Sequence, residues 1–329
     1  MVPRPGRWSS PVLSVLRAGF GAALLVYVLK SGGAWASLQS LLSLWWLVVA
    51  INLAPVFGAS IEARRLAVLF GAHGLTVRFW TGFRVVAIGA LFNLLIPGGT
   101  GGDVMKLYYL AGRHKGRGVE VATILLVDRV VALFAMLVVV LGLVTAQLPT
   151  LGRVPTVRGT AIGVAASLAL LLSGVAILWS ARIRESAAYR RLMAWLPLGR
   201  FLARAADAAF AFRTHKSALL KAALLSLAGH TILVGTLALM GRVLLPSVPT
   251  LLVCTLALLG LIASAIPITP GGVGVGEAAA EALFRSVGVP GGAALVAGWR
   301  AGMIGICIIG AVLYAVDVKV LRRAGAGPD

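Results

Sequence analysis

A chain of 329 residues with 60% hydrophobic and 12% charged residues carries about half the charge of a soluble domain, which excludes a water-soluble globular fold. A mean hydropathy of +0.98 excludes intrinsic disorder, and long apolar runs instead of short alternating segments exclude a transmembrane β-barrel. Thirty Lys and Arg against 10 Asp and Glu give a formal net charge of +20; on a polytopic helical protein this reports basic cytoplasmic loops and anionic lipid at the cytoplasmic face, not nucleic acid.

A spanning helix takes about 20 mostly apolar residues. Six stretches qualify: 12–29, 38–57, 119–147, 159–180, 222–241 and 292–316. No A-x-A-like cleavage site follows the first, so it is expected to stay as a helix. Two shorter apolar stretches, Val85–Pro97 and Thr250–Pro267, each run into a Pro-Gly-Gly sequence. Basic residues flank Val85–Pro97 on both sides: Arg64, Arg65, Arg78 and Arg84 before it, Lys106, Arg113, Lys115 and Arg117 after it. Both flanks therefore belong to the cytoplasm, and the stretch reads as a re-entrant segment. By the same logic Thr250–Pro290 dips in from the opposite face. With both termini cytoplasmic, 23 bases lie inside, 5 outside and 2 (Arg129 and Arg300) within helices. The bases of 182–221 share that segment with an amphipathic pattern, Leu198, Phe201, Leu202, Ala205, Ala209 and Phe212, which reads as a cytoplasmic surface helix.

The predicted fold is an all-α integral membrane protein forming a single transmembrane domain over 1–329. It is an inverted repeat of two halves, 12–150 and 159–323, with about six full spans and two opposed re-entrant helical hairpins. The halves match at one motif. The first has Pro97, Gly98, Gly99, Thr100, Gly101, Gly102 and Asp103; the second has Pro270, Gly271, Gly272, Val273, Gly274, Val275, Gly276 and Glu277. Pro ends the entering half-helix, glycines allow the turn, and the acid stands at the start of the next helix. Irregular backbone at membrane depth survives only inside protein or along a wet cavity. Each acid is thus either a cap for free N–H groups or part of a headgroup or proton site. The glycines lack the G-x-G-x-x-G and P-loop patterns, so no nucleotide is expected.

Other polar residues fall within apolar runs. Asp128 and Arg129 are adjacent and point about 100° apart, so they serve different neighbours. Arg300 suits a carboxylate or a lipid phosphate, and an ion pair of Asp128 or Glu277 with Arg300 is the structural alternative. Asn93 and His230 read as interhelical hydrogen bonds. Lys106, three residues after Asp103, would neutralise that acid or snorkel to headgroups. Cys254 and Cys307 read as buried thiols. The four histidines are scattered in sequence, no zinc or nucleophile motif occurs, and neither catalysis, a metal nor a cofactor is expected.

Asn93 to Asp103, Asp128-Arg129 and Ile268 to Glu277 together resemble the transmembrane region of lysylphosphatidylglycerol synthases, also described as flippase-like membrane proteins, over about residues 12 to 320. In complete synthases a soluble aminoacyl-transferase domain follows this region; it is expected to be absent here, since the sequence stops at Asp329. The resemblance implies a flippase in the bacterial inner membrane for an anionic, aminoacylated or polyprenyl-linked lipid. The two turns would meet near the midplane around the charges of Asp103, Glu277, Asp128, Arg129 and Arg300. Alternatives are a small-solute secondary transporter and an accessory partner of a lipid-modifying or glycosyltransferase enzyme. A homodimer through Gly298 and Gly302 is a further possible association.

Overall fold

A computed structural model describes residues 43–95, 101–147, 155–182, 210–264 and 271–325, with Ser186, Arg191, Asp207 and Thr269 singly. The expected first span, Pro97 to Gly99, Pro270 and most of 182–221 lie outside the described residues. Among these residues the chain is all helical: α1 Trp45–Ala72, α2 Phe79–Leu95, α3 Gly101–Arg113, α4 Gly118–Thr145, α5 Pro155–Trp179, α6 Lys216–Leu244, α7 Thr250–Ala263, α8 Val275–Arg285 and α9 Gly292–Gly325. A 3-10 turn, Phe212–Thr214, precedes α6.

Among the described residues four helices are long and apolar enough to cross a membrane: α1, α4, α6 and α9 through Asp317. Shorter apolar runs are Phe79–Leu94, Ala161–Ile177 and Thr250–Ala263. Trp45, Trp80 and Leu170 expose 76%, 74% and 76% of their surface. Such exposure is costly in water and natural against hydrocarbon, as befits a multi-pass membrane protein.

α1 corrects the expected span at 38–57. It continues to Ala72, past Pro55 and through Glu62, Arg64 and Arg65. Hydropathy ends a span at charges, but charges that find partners inside protein do not have to leave the membrane. Arg65 is buried at 7% exposure within this helix, so it is not a loop base. The helix stops where Gly74 turns left-handed at φ 67° and the Leu75 N–H reaches back to Phe70 O at 3.0 Å. α2 starts six residues before the expected Val85, and α9 runs nine residues beyond the expected 316.

The chain forms two compact units. One comprises residues 1–55, 88–102 and 234–329, and holds α7, α8 and α9 packed around Leu256, Phe284 and Ala294. Within it Gly302 of α9 lies against Ile51 of α1, so close that a Cβ would strike the Ile51 carbonyl. That glycine seats a helix of its own chain. Asn52 Oδ1 accepts from Gly305 N–H at 3.0 Å and pins the same two helices. Glu281 of α8 accepts from the Gly291 and Ala293 N–H groups at 3.2 and 3.1 Å, capping the positive end of α9.

The other unit comprises residues 56–87 and 103–233. Its core gathers Leu66, Phe70, Leu110, Ile124 and Phe212, all essentially buried, and α4 packs along α5. The histidines are less scattered than in sequence: the His73 ring lies 4.2 Å from Phe212 and 5.9 Å from His215. Cys254 and Cys307 are buried free thiols.

Candidate functional site

The second glycine motif is built around one arginine. Gly271, Gly272 and Gly274 take φ of 58°, 69° and 83°, so the chain turns where other residues resist. The turn leaves carbonyls pointing inward, and Arg300 of α9 collects them. Its Nη1 donates to Gly271 O at 2.6 Å; its Nη2 donates to Gly272 O at 2.7 Å and to Ser264 Oγ at 3.1 Å. Arg300 Nε lies 2.5 Å from Glu277 Oε1, a charge contact and not an aligned hydrogen bond. The other carboxylate oxygen accepts the Gly274 N–H at 2.8 Å at the start of α8. Glu277 is thus a first-turn cap whose charge an arginine neutralises. Its side chain is 0% exposed and that of Arg300 is 22% exposed. A Cβ at Gly276 would displace Ser264 Oγ from its place beside Arg300.

The first motif repeats this chemistry with different exposure. Asn93, near the end of α2, accepts the Gly102 N–H on Oδ1 at 2.7 Å and so caps α3. It does bridge two helices, as expected, but through a backbone group. Asp103 pairs with Arg129 of α4. Each motif acid therefore meets an arginine of the next long helix. Here, however, the side chains are 40% and 56% exposed.

Two further ion pairs stand beside this one in the same unit. Arg65 of α1 grips Asp128 of α4 bidentately, Nε to Oδ1 at 2.6 Å and Nη2 to Oδ2 at 3.0 Å. Its Nη1 donates to Ser226 Oγ of α6 at 2.9 Å, and Ser226 Oγ in turn donates to Ala222 O at 2.9 Å. Lys106 pairs with Glu62. Three acids and three bases from α1, α3 and α4 balance exactly in charge. The expected pairing of Lys106 with Asp103 is corrected: the helix turn that puts them on one face also turns Lys106 toward α1. Asp128 is held by Arg65, and Arg300 by Glu277. His230 bonds Ser226 O of its own helix at 2.7 Å, not a neighbouring helix.

Glu62, Arg65, Ser226 and Ser264 escaped the sequence reading. A signal for the first two was present. Glu62 and Arg65 are three apart, as are Asp103 and Lys106, so each helix shows an acid and a base on one face. At the end of α3, burial holds the His114 imidazole below its ordinary 6.5, with Arg117 and Arg113 adding to the effect.

These positions can be compared with known proteins. The family model described as the lysylphosphatidylglycerol synthase TM region matches residues 12–312, which include both glycine motifs, Asp128-Arg129 and Arg300. No curated protein and no solved structure matches the chain. With that match spanning most of its length, the chain belongs to the family of lysylphosphatidylglycerol synthase transmembrane regions.

Proposed function

We propose that this protein moves the headgroup of an anionic, aminoacylated or polyprenyl-linked lipid between leaflets of a bacterial inner membrane, with both termini in the cytoplasm. In this reading the two glycine motifs are re-entrant turns of an inverted repeat, and no covalent chemistry is performed.

One observation carries the reading: the half-exposed Asp103–Arg129 pair. Arg129 follows Gly118 by eleven residues in the 28-residue α4. At about 1.5 Å per residue it stands near the middle of the span. Leu126 and Leu133, one turn either side on its face, are 55% and 44% exposed. A charge on such a stripe is expensive against hydrocarbon unless the place is wet or holds a partner. Three of these four pairs differ in how readily they open. Arg65–Asp128 and Glu277–Arg300 are buried, and separating either leaves a charge in low dielectric, costing about 3–5 kcal/mol. An exposed pair is worth about 0–1 kcal/mol. Asp103–Arg129 is the pair a headgroup can enter: its phosphate takes the Arg129 fork and frees Asp103 for an ammonium.

The test is a vesicle assay. Purified protein is reconstituted with fluorescent phosphatidylglycerol, its aminoacylated form or a polyprenyl phosphate, and exposure of the label in the outer leaflet is followed. One of these lipids should cross faster than in protein-free vesicles. Arg129→Gln should slow it about tenfold or more, since a charge-assisted hydrogen bond is worth about 1.5–3 kcal/mol. Equal rates for all three lipids with and without protein would sink the reading.

A further inference from the structure

The unit that holds Asp103 and Arg129 contains a cavity of about 350 Å³ between α4, α5 and α6, and Arg129 does not line it. Its walls include Leu126 and Phe134 of α4, Leu172 and Trp179 of α5, Phe212, and Ala223 of α6. No charged side chain lines it. One end lies at helix termini. Trp179 is the last residue of α5, and Phe212 opens the turn before α6. Phe134, sixteen residues beyond the start of α4, marks the deep end.

The shallow end is surrounded in sequence by bases. Arg182 follows Trp179 by three residues, Arg213 follows Phe212, and Lys216 and Lys221 flank Leu219 and Leu220 of the wall. All four are exposed. Arg213 also lies over the Phe210 ring, 3.8 Å from its centroid. Over 182–221 the sequence has nine bases against two acids, Glu185 and Asp207. Trp at a helix end marks headgroup depth. Basic pockets between spanning helices on the cytoplasmic side suit anionic headgroups.

We propose that this cavity holds one acyl chain of a resident anionic phospholipid whose phosphate sits among Arg182, Arg213, Lys216 and Lys221. Both halves of the ligand are accounted for. A cavity of this size and apolarity takes a hydrocarbon chain and leaves no polar group unpaired. A neutral lipid would fill it equally well, but only an anionic headgroup adds attraction to the four cations. This lipid is a fixture of the fold and not the cargo, so the site needs no transport to exist.

Full-length protein in phosphatidylcholine nanodiscs is doped with a phosphatidylglycerol bearing a photoactivatable acyl chain, or with the phosphatidylcholine analogue of the same chain. Labelled peptides are then mapped. The phosphatidylglycerol probe should label residues 126–134 and 171–179 about fivefold or more over the phosphatidylcholine probe, the factor that one interfacial cation supplies. The R182Q/R213Q/K216Q/K221Q variant should bring that ratio near one, and Ala223→Phe should abolish labelling by both probes. Should Ala223→Phe fail to fold, the charge variant decides alone, because its substitutions are all exposed. Equal labelling by the two probes in the unmodified protein, or a ratio unmoved by the charge variant, overturns the proposal. Neither outcome bears on transport through Asp103 and Arg129.

Discussion

Replacing Asp128 by Asn keeps the shape of the side chain and removes its charge. Arg65 then remains 7% exposed, held by Ser226 and one amide oxygen where it had two carboxylate oxygens at 2.6 and 3.0 Å. An unneutralised buried charge costs about 3–5 kcal/mol. Asp103→Asn removes a carboxylate from a pair whose side chains are 40% and 56% exposed; in the wet site that the proposed function requires, the loss should be about 0–1 kcal/mol. The assay is reversible unfolding in mixed micelles with increasing denaturing detergent, followed by tryptophan fluorescence. The two variants should differ by at least about 2 kcal/mol, the gap between those ranges. An Arg65→Met, Asp128→Leu double variant should recover most of the loss, because it removes both charges together. If Asp128→Asn and Asp103→Asn fall within about 0.5 kcal/mol of each other, the assignment of one pair as structural and the other as openable is wrong.

Gly276→Ala should lower stability because its Cβ displaces Ser264 Oγ, and Ser264→Ala should relieve it; Gly272→Ala, which strikes the Ser264 backbone at φ 69°, should cost more and not be rescued, as expression and unfolding of the double variants will read. Asn93→Ala leaves the Gly102 N–H without its acceptor and should lower stability by about 1 kcal/mol in the same micelle assay. His114 should titrate below 6.5 by NMR of labelled histidine. Because the folded state resists that proton, stability should fall as the pH drops from 6.5 toward the depressed folded value, and His114→Gln should remove this slope.

Much of the molecule was visible in advance, and the exceptions share a cause. Apolar length located α4 and α5 to within four residues at either end, since a helix surrounded by lipid has little besides hydropathy to set its ends, while α6 begins six residues before the expected 222. The motif acids were visible through their spacing from the glycines, and Glu277–Arg300 was one of the pairings considered. What stayed hidden depended on partners distant in sequence. Arg65 reads as a loop base because its counter-ion is 63 residues away, and α1 therefore appeared to stop at Phe57. Ser264 and Ser226 look like ordinary small polar residues until an arginine arrives beside them. The difference between the two acid–arginine pairs was likewise invisible: both motifs carry the same residue types, and only packing makes one 0% and the other 40% exposed at the acid.

The most direct measurement is lipid translocation by the charge-swapped variant Asp103→Arg, Arg129→Asp in reconstituted vesicles, alongside the unmodified protein and with unfolding in micelles as the control. The swap preserves an ion pair between α3 and α4 while moving the phosphate-binding fork from one helix to the other. The predicted result is headgroup movement well above protein-free vesicles for the unmodified protein, and its loss in the swapped variant at unchanged stability. Transport by the swapped variant at the unmodified rate, or no transport by either, would contradict the role assigned to this pair.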